Sequence, residues 1–187
     1  MNPTELLDLG ITWTAARIAA VPWDGLDAPT PCASWNLRQL LDHTIGSLTM
    51  LTTAVASAPT AREPESIDVA ALGSTSWDRA IAELAAQSRR AWRAPGVMDR
   101  TFELPLGTMT AQALASATLL EVVVHGWDIS QATGEAADIP DALARPILDF
   151  ARQPIVDANR GDHFGADLAI GDTPSEQLVG FLGRKPL

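Results

Sequence analysis

The sequence predicts an all-α protein, a four-helix bundle with additions. Three observations predict it. Four long segments carry apolar residues at helical spacing, one long connection interrupts them, and only one short stretch alternates as a strand does. The chain reads as a single domain over residues 1–187, with the bundle over about 4–134 and a C-terminal extension over about 135–187. A chain of 187 residues buries a sizeable core without disulfides. With one cysteine, Cys32, it can form no intramolecular disulfide, which suits a reducing compartment and an expected cytoplasmic location.

The first helix is expected from about Thr4 to Ala20, with Leu6, Leu9, Trp13, Ala16 and Ala20 at helical spacing. Thr4 is its candidate cap, and Glu5 and Asp8 suit the positive end of the helix dipole. Pro22 and Trp23-Asp24-Gly25 end it, and Ala28-Pro29-Thr30-Pro31-Cys32 is loop by its prolines. A second helix starts at Ser34-Trp35-Asn36, carries Leu37, Leu40, Leu41, Thr44, Leu48 and Leu51, and runs towards Ala58, where Pro59 stops it. Residues 60–72 form a connection. The third helix runs from Ser74, a cap candidate, to about Arg93, with Trp77, Ile81, Leu84, Ala85, Ser88 and Trp92 on one face. Its Arg89, Arg90 and Arg93 read as a solvated helix end. Thr101 to Met109 alternates around Pro105-Leu106-Gly107 and predicts a short hairpin or ordered loop. The fourth helix covers about Thr110 to Thr133, closed by Gly134. A fifth runs from Pro140, at or near its first turn, to about Arg152. The tail offers loop residues around Gly161 and Gly165, then a short amphipathic helix from Ser175 to Leu182.

The formal net charge of −10 repels phosphate backbones and anionic bilayers alike, so no nucleic acid and no membrane surface is expected as a partner. The N-terminus, Met1-Asn2-Pro3-Thr4-Glu5, has neither a basic region nor an apolar run, so no signal peptide is expected. The longest uncharged run, Thr44 to Ala61, is too rich in Thr, Ser and Ala to span a bilayer. A Gly-rich phosphate loop, a Ser-centred elbow and a cysteine pair are all missing, which argues against nucleotide binding and triad hydrolysis.

Chemistry concentrates in Leu119-Leu120-Glu121-Val122-Val123-Val124-His125-Gly126-Trp127-Asp128-Ile129. Seven of these eleven residues are large and apolar, so this helix is expected to be buried around most of its circumference. Glu121 and His125 are four apart and share a face, and Asp128 lies three beyond. A buried carboxylate and imidazole need compensation, and a metal supplies it by making both of them ligands. A third ligand must come from elsewhere. His43, mid-helix in Leu40-Leu41-Asp42-His43-Thr44-Ile45-Gly46, is the candidate. Gly46 and Gly126 follow the two histidines closely, where small residues leave room for a ligand or a near helix. Two histidines and one carboxylate with open positions suit zinc, and also iron or nickel. On residues alone, a metal site and a set of hydrogen-bonded core polar groups stand about level. Asp128 is assigned to orienting a ligand or pairing with an arginine, rather than to direct ligation.

Cys32 reads as a small core residue, since nothing near it in sequence supplies a base. His163 reads as a surface loop residue, or one that closes over a site. The six tryptophans read as core anchors, with Trp35 and Trp127 also placed to line a pocket.

Thr30-Pro31-Cys32-Ala33-Ser34-Trp35-Asn36-Leu37-Arg38-Gln39-Leu40-Leu41-Asp42-His43 resembles the helix-two signature of the DinB-like superfamily. Glu121-Val122-Val123-Val124-His125-Gly126-Trp127-Asp128 resembles the Glu-x-x-x-His-Gly-Trp-Asp motif of its actinobacterial branch, which is related to the mycothiol-dependent maleylpyruvate isomerase N-terminal domain. The ending, Leu178 to Pro186, is similar to that branch's tail. The resemblance implies a divalent metal, zinc first, held by His43, Glu121 and His125. It also implies mycothiol or a related small-molecule thiol as co-substrate, with an electrophile as its partner in a transferase or isomerase reaction. The separate C-terminal domain of a full maleylpyruvate isomerase is not expected from this sequence. Asp128 is expected to serve the reaction by orienting a ligand or the thiol. A non-catalytic metal-binding or stress-response module and a metal-dependent hydrolase are the competing readings. A homodimer through a bundle face is compatible with the pattern, which does not show the face.

Overall fold

Cap and turn residues set the element boundaries. The computed structural model describes residues 1–32, 35–57, 77–104, 107–160, 164–169 and 171–187. Within them lie four long helices, α1 (Pro3–Ala19), α2 (Leu37–Ala56), α3 (Trp77–Trp92) and α4 (Ala111–Ala132). An antiparallel hairpin, β1 (Thr101–Leu104) and β2 (Gly107–Thr110), precedes α4, and α5 (Asp141–Ala151) and α6 (Pro174–Phe181) follow it. The expected cap at Ser74, the Pro105-Leu106 turn and His163 fall outside the described residues. The all-α reading and the hairpin hold.

Helix α1 is capped by Asn2 rather than by Thr4. Asn2 Oδ1 accepts from the Glu5 N–H, the Glu5 carboxylate accepts from the Asn2 N–H, and Thr4 donates its hydroxyl to Asn2 Oδ1. With Asn2 as cap, Pro3 takes the first helical position, where its missing N–H costs nothing. The same box recurs at α2, with Asn36 and Gln39, and at α6, with Thr173 and Glu176. The α6 cap puts Pro174 in the first turn, one residue earlier than expected, and at α5 Pro140 is itself the cap residue.

The buried face of α1 differs from the one its leucine spacing suggests. Leu7, Gly10, Ile11, Thr14 and Ile18 point inward, whereas Leu9, Ala16 and Ala20 are exposed and Leu6 and Trp13 are half-buried. The cause lies across the interface with α4. A Cβ on Gly10 would collide with Leu119 and Val123, and one on Gly126 would meet Thr14 and Trp13. The two backbones approach through these glycines, and the Thr14 hydroxyl donates to the Val122 carbonyl at 2.8 Å. Close packing places a glycine and a threonine inside and pushes larger residues to the flanks.

α1 packs on α4 and α3, and α2 packs on the same two helices, so the four form a ring. α4 is enclosed as expected, with every residue from Val122 to Ser130 buried. The inward face of α3 holds Ile81, Leu84, Ala85, Ser88 and Trp92. Its arginines are not all solvated. Of the three at its C-terminal end, Arg89 and Arg93 pair with Asp8 of α1 at 2.7 and 3.1 Å, and Arg90 is exposed. Of the five tryptophans whose side chains are described, Trp92 and Trp127 are buried and Trp13, Trp23 and Trp35 are half-buried. Arg100, just before the hairpin, donates to the Val55 and Ser57 carbonyls and closes the C-terminal end of α2.

The C-terminal extension packs α5 against α4 and α6 against α5. α6 ends in a Schellman turn. Gly183, with φ of 75°, donates to the Gly180 carbonyl, and Arg184 donates its N–H to the Val179 carbonyl. Gly183 lies against Gly165, backbone to backbone, and neither has room for a Cβ. Buried Arg160 fastens this corner by donating to the Gly165 and Phe181 carbonyls at 3.0 and 2.7 Å. Among the described residues no helix is long and apolar enough to cross a membrane.

Candidate metal centre

The packing of α2 on α4 sets His43 opposite Glu121 and His125. One carboxylate oxygen, Glu121 Oε1, lies 2.7 Å from His43 Nε2 and 3.6 Å from His125 Nε2. The two imidazoles stand edge to face with centroids 5.0 Å apart. One atom from each of the three residues falls within 4.8 Å of the others. The structure thus brings together the three ligand candidates, from two helices.

Glu121 Oε1 is sealed from solvent and, although His43 Nε2 lies 2.7 Å away, it accepts no hydrogen bond of good geometry. A buried acceptor left without a donor needs an explanation, and a cation between it and two imidazole nitrogens is one. Two histidines and a carboxylate form a donor set for zinc, iron or nickel. The residues therefore fit a divalent metal. Burial pushes the Glu121 carboxyl up, but the charge of His125 and the contacts with His43 and Ser47 outweigh it and bring it down to about 2. Ser47, one turn beyond His43, was not singled out from the sequence; its spacing of four from a ligand candidate was the available signal.

The site has an open flank and a closed one. The His43 and Glu121 side chains keep 35% and 29% of their exposure, His125 only 8% and Asp128 none. The half-buried Trp35 ring lies 4.3 Å from that of His43 and 5.9 Å from that of His125, walling one side of the open flank. Trp35 is held there by the loop before α2. Its N–H donates to the Cys32 carbonyl, and its own carbonyl lies 2.7 Å from the Thr30 hydroxyl.

Behind His125 the environment changes. Asp128 Oδ2 lies 3.0 Å from His125 Nδ1, and Arg184 Nε donates to both Asp128 oxygens at 3.1 Å. Burial pushes the Asp128 carboxyl up, and the Arg184 charge and the His125 contact pull it below the ordinary carboxylate range. Arg184 is buried in turn, and Asp128 keeps its guanidinium charged.

Cys32 is not a core cysteine remote from the site. Its Sγ lies 3.5 Å from Asp128 Oδ2, 3.6 Å from an Arg184 amine and 4.0 Å from His125 Nδ1. Burial first, then the Asp128 charge, push the thiol up to about 12, so it stays protonated and donates to Asp128. Cys32, His125 and Asp128 form a second cluster of metal-ligating side chains, but Arg184 already supplies its cation. Arg184 was missed from sequence. The signal was a glycine-arginine pair closing a short helix, which fixes a backbone turn but not the target of the side chain.

Known proteins share this sequence pattern and fold. Residues 7–130 match the family described as the mycothiol maleylpyruvate isomerase N-terminal domain. An uncharacterized protein of Mycobacterium tuberculosis, in strains CDC 1551 / Oshkosh and ATCC 25618 / H37Rv, is 33% identical over 178 residues, covering 91% of each chain. The crystal structure of a histidine-to-alanine mutant of the mycothiol-dependent maleylpyruvate isomerase shares the fold, with a TM-score of 0.56 and 19% identity. That match covers 77% of this chain and 65% of the other. The chain belongs to the mycothiol maleylpyruvate isomerase N-terminal domain family.

Proposed function

We propose that the chain is a divalent-metal-dependent enzyme that joins or exchanges a small thiol of the mycothiol type with an electrophilic substrate. The observation that carries this is the sealed, donorless Glu121 Oε1 between the Nε2 atoms of His43 and His125. His43, Glu121 and His125 would hold the metal, with zinc the first choice for this donor set. The chemistry such an ion supplies is to make a bound thiol acidic enough to act as a nucleophile near neutral pH.

The chain's own residues do the rest. Glu121, already ionised, contributes negative charge without having to lose a proton. Asp128, wholly buried, reaches no substrate; it accepts from His125 Nδ1 and so acts as a positioning residue. Trp35 offers an apolar wall to whatever enters the open flank. Cys32 does not compete as a nucleophile, because its thiol is held protonated. That leaves the nucleophile to an incoming thiol. Hydrolysis fits less well, since Asp128, its candidate general base, is enclosed between Arg184 and His125. A reducing compartment such as the cytoplasm suits a reaction that consumes a free thiol.

Metal analysis tests the site. The protein is expected to carry about one divalent ion per chain, with His43→Ala and His125→Ala losing it; undiminished metal in both variants would sink the assignment. Incubating the zinc-loaded protein with mycothiol and a haloarene tests the reaction. Thiol-dependent loss of the haloarene faster than in buffer is expected, and a rate equal to that of the uncatalysed reaction across several electrophiles removes the enzymatic reading.

A further inference from the structure

We propose that Arg184 is a positioning residue of the metal centre, reaching in from beyond α6 to fix, through Asp128, which nitrogen of His125 is left to ligate. This rests on the metal reading given above. Three features carry it: a hydrogen-bond relay, the backbone that delivers it, and its separation from the ligand helices.

In the relay, Arg184 Nε donates to both oxygens of Asp128 at 3.1 Å, and Asp128 Oδ2 sits 3.0 Å from His125 Nδ1. A carboxylate already receiving a guanidinium proton can only accept from the ring, so Nδ1 carries the hydrogen. The lone pair of a neutral imidazole is then on Nε2, the atom facing Glu121 and His43. Without the guanidinium, Asp128 would be a buried charge with one donor fewer, free to turn from His125 towards the Cys32 thiol.

The delivery is specific. The Schellman turn at Gly183, the Gly165–Gly183 contact and the two Arg160 hydrogen bonds all fix the chain direction just before Arg184. Arg184 is 6% exposed, although it lies three residues from the last in the sequence. It also lies outside residues 7–130, the portion matched to the family. A segment beyond that portion thus completes the environment of a ligand inside it.

The test compares zinc affinity, by competition with a chromophoric chelator, and the visible spectrum of the cobalt-substituted protein. Both are measured in the full chain and in Arg184→Met, Asp128→Asn and the double variant, with far-UV circular dichroism as the folding control. Arg184→Met is expected to weaken zinc binding about 10- to 100-fold and to shift the cobalt bands. The double variant is expected to bind zinc as Asp128→Asn does, because Arg184 acts only through Asp128. Lacking an unpaired buried charge, the double variant also keeps the test alive if Arg184→Met does not fold. Wild-type affinity and an unshifted cobalt spectrum in Arg184→Met would overturn the Arg184 role alone, as would a double variant binding tenfold more weakly than Asp128→Asn. A wild-type protein that takes up no zinc would overturn this role and the metal reading together.

Discussion

The two nitrogens of His125 face two different kinds of surroundings. On the Nε2 side, His43 and Glu121 are about one-third exposed, and their converging atoms include an acceptor without a donor. On the Nδ1 side, Asp128, Arg184 and Cys32 are packed into a network in which each polar group has a partner. An unfinished cluster stands beside a finished one, and the proposed function puts its ligand at the unfinished one. The proposed function would put binding on the Nε2 side and leave the Nδ1 side to stability, so variants on the two sides should fail differently.

The largest effect is expected on the closed side. Asp128→Asn leaves Arg184 buried without its counter-charge and should cost about 3–5 kcal/mol in denaturant unfolding. A cost within the range of exposed ion pairs would mean that the network is wetter than its burial suggests. On the open side, His43→Ala should abolish metal uptake yet change the stability of the metal-free protein by no more than about 1 kcal/mol. Equal destabilisation by the two substitutions would erase the contrast.

Acid titration of the metal-free protein probes both sides at once. Glu121 and Asp128 both have folded-state values below their ordinary ones. Their stabilisation is therefore complete above the unfolded carboxylate range and is lost as pH falls through the folded values. For Glu121 that window runs from the ordinary 4.5 down to about 2. Unfolding free energy should fall across it, and Glu121→Gln should flatten the slope; an unchanged slope would show that His43 and His125 do not hold the carboxylate. The smallest effect concerns Cys32. With its thiol pushed up to about 12, alkylation by iodoacetamide at pH 8 should be more than about tenfold slower than for a free cysteine thiol of ordinary pKa near 8.5. A rate matching the free thiol would place Cys32 on the open side.

Local sequence carried the part of this architecture that depends on local rules. Leu37, Leu40, Leu41, Thr44 and Leu48 repeat at helical spacing and are all buried on α2. Glu121 and His125 share a face because they are four apart. The alternation from Thr101 to Met109 gives a hairpin with Phe102 turned inward. Elements whose logic lies across an interface were not legible. The inward face of α1 follows from Gly10 and Thr14 meeting α4, so leucine spacing within α1 misplaced it. Asp8 captures Arg89 and Arg93 from 81 and 85 residues away, which no helix-end rule anticipates. Cys32 looked isolated because its neighbours, His125 and Asp128, are 93 and 96 residues further along.

The tail that carries Arg184 gives the site a sequence in time. Arg184 follows Asp128 by 56 residues, so a ribosome adding 5–20 residues per second makes it roughly 3–11 s later. During that interval α4 already holds its carboxylate and imidazole, but the charge that balances Asp128 has not been synthesised. The cluster is completed from α4 outward, and its last counter-charge arrives only after α6 has been made and the chain has turned at Gly183.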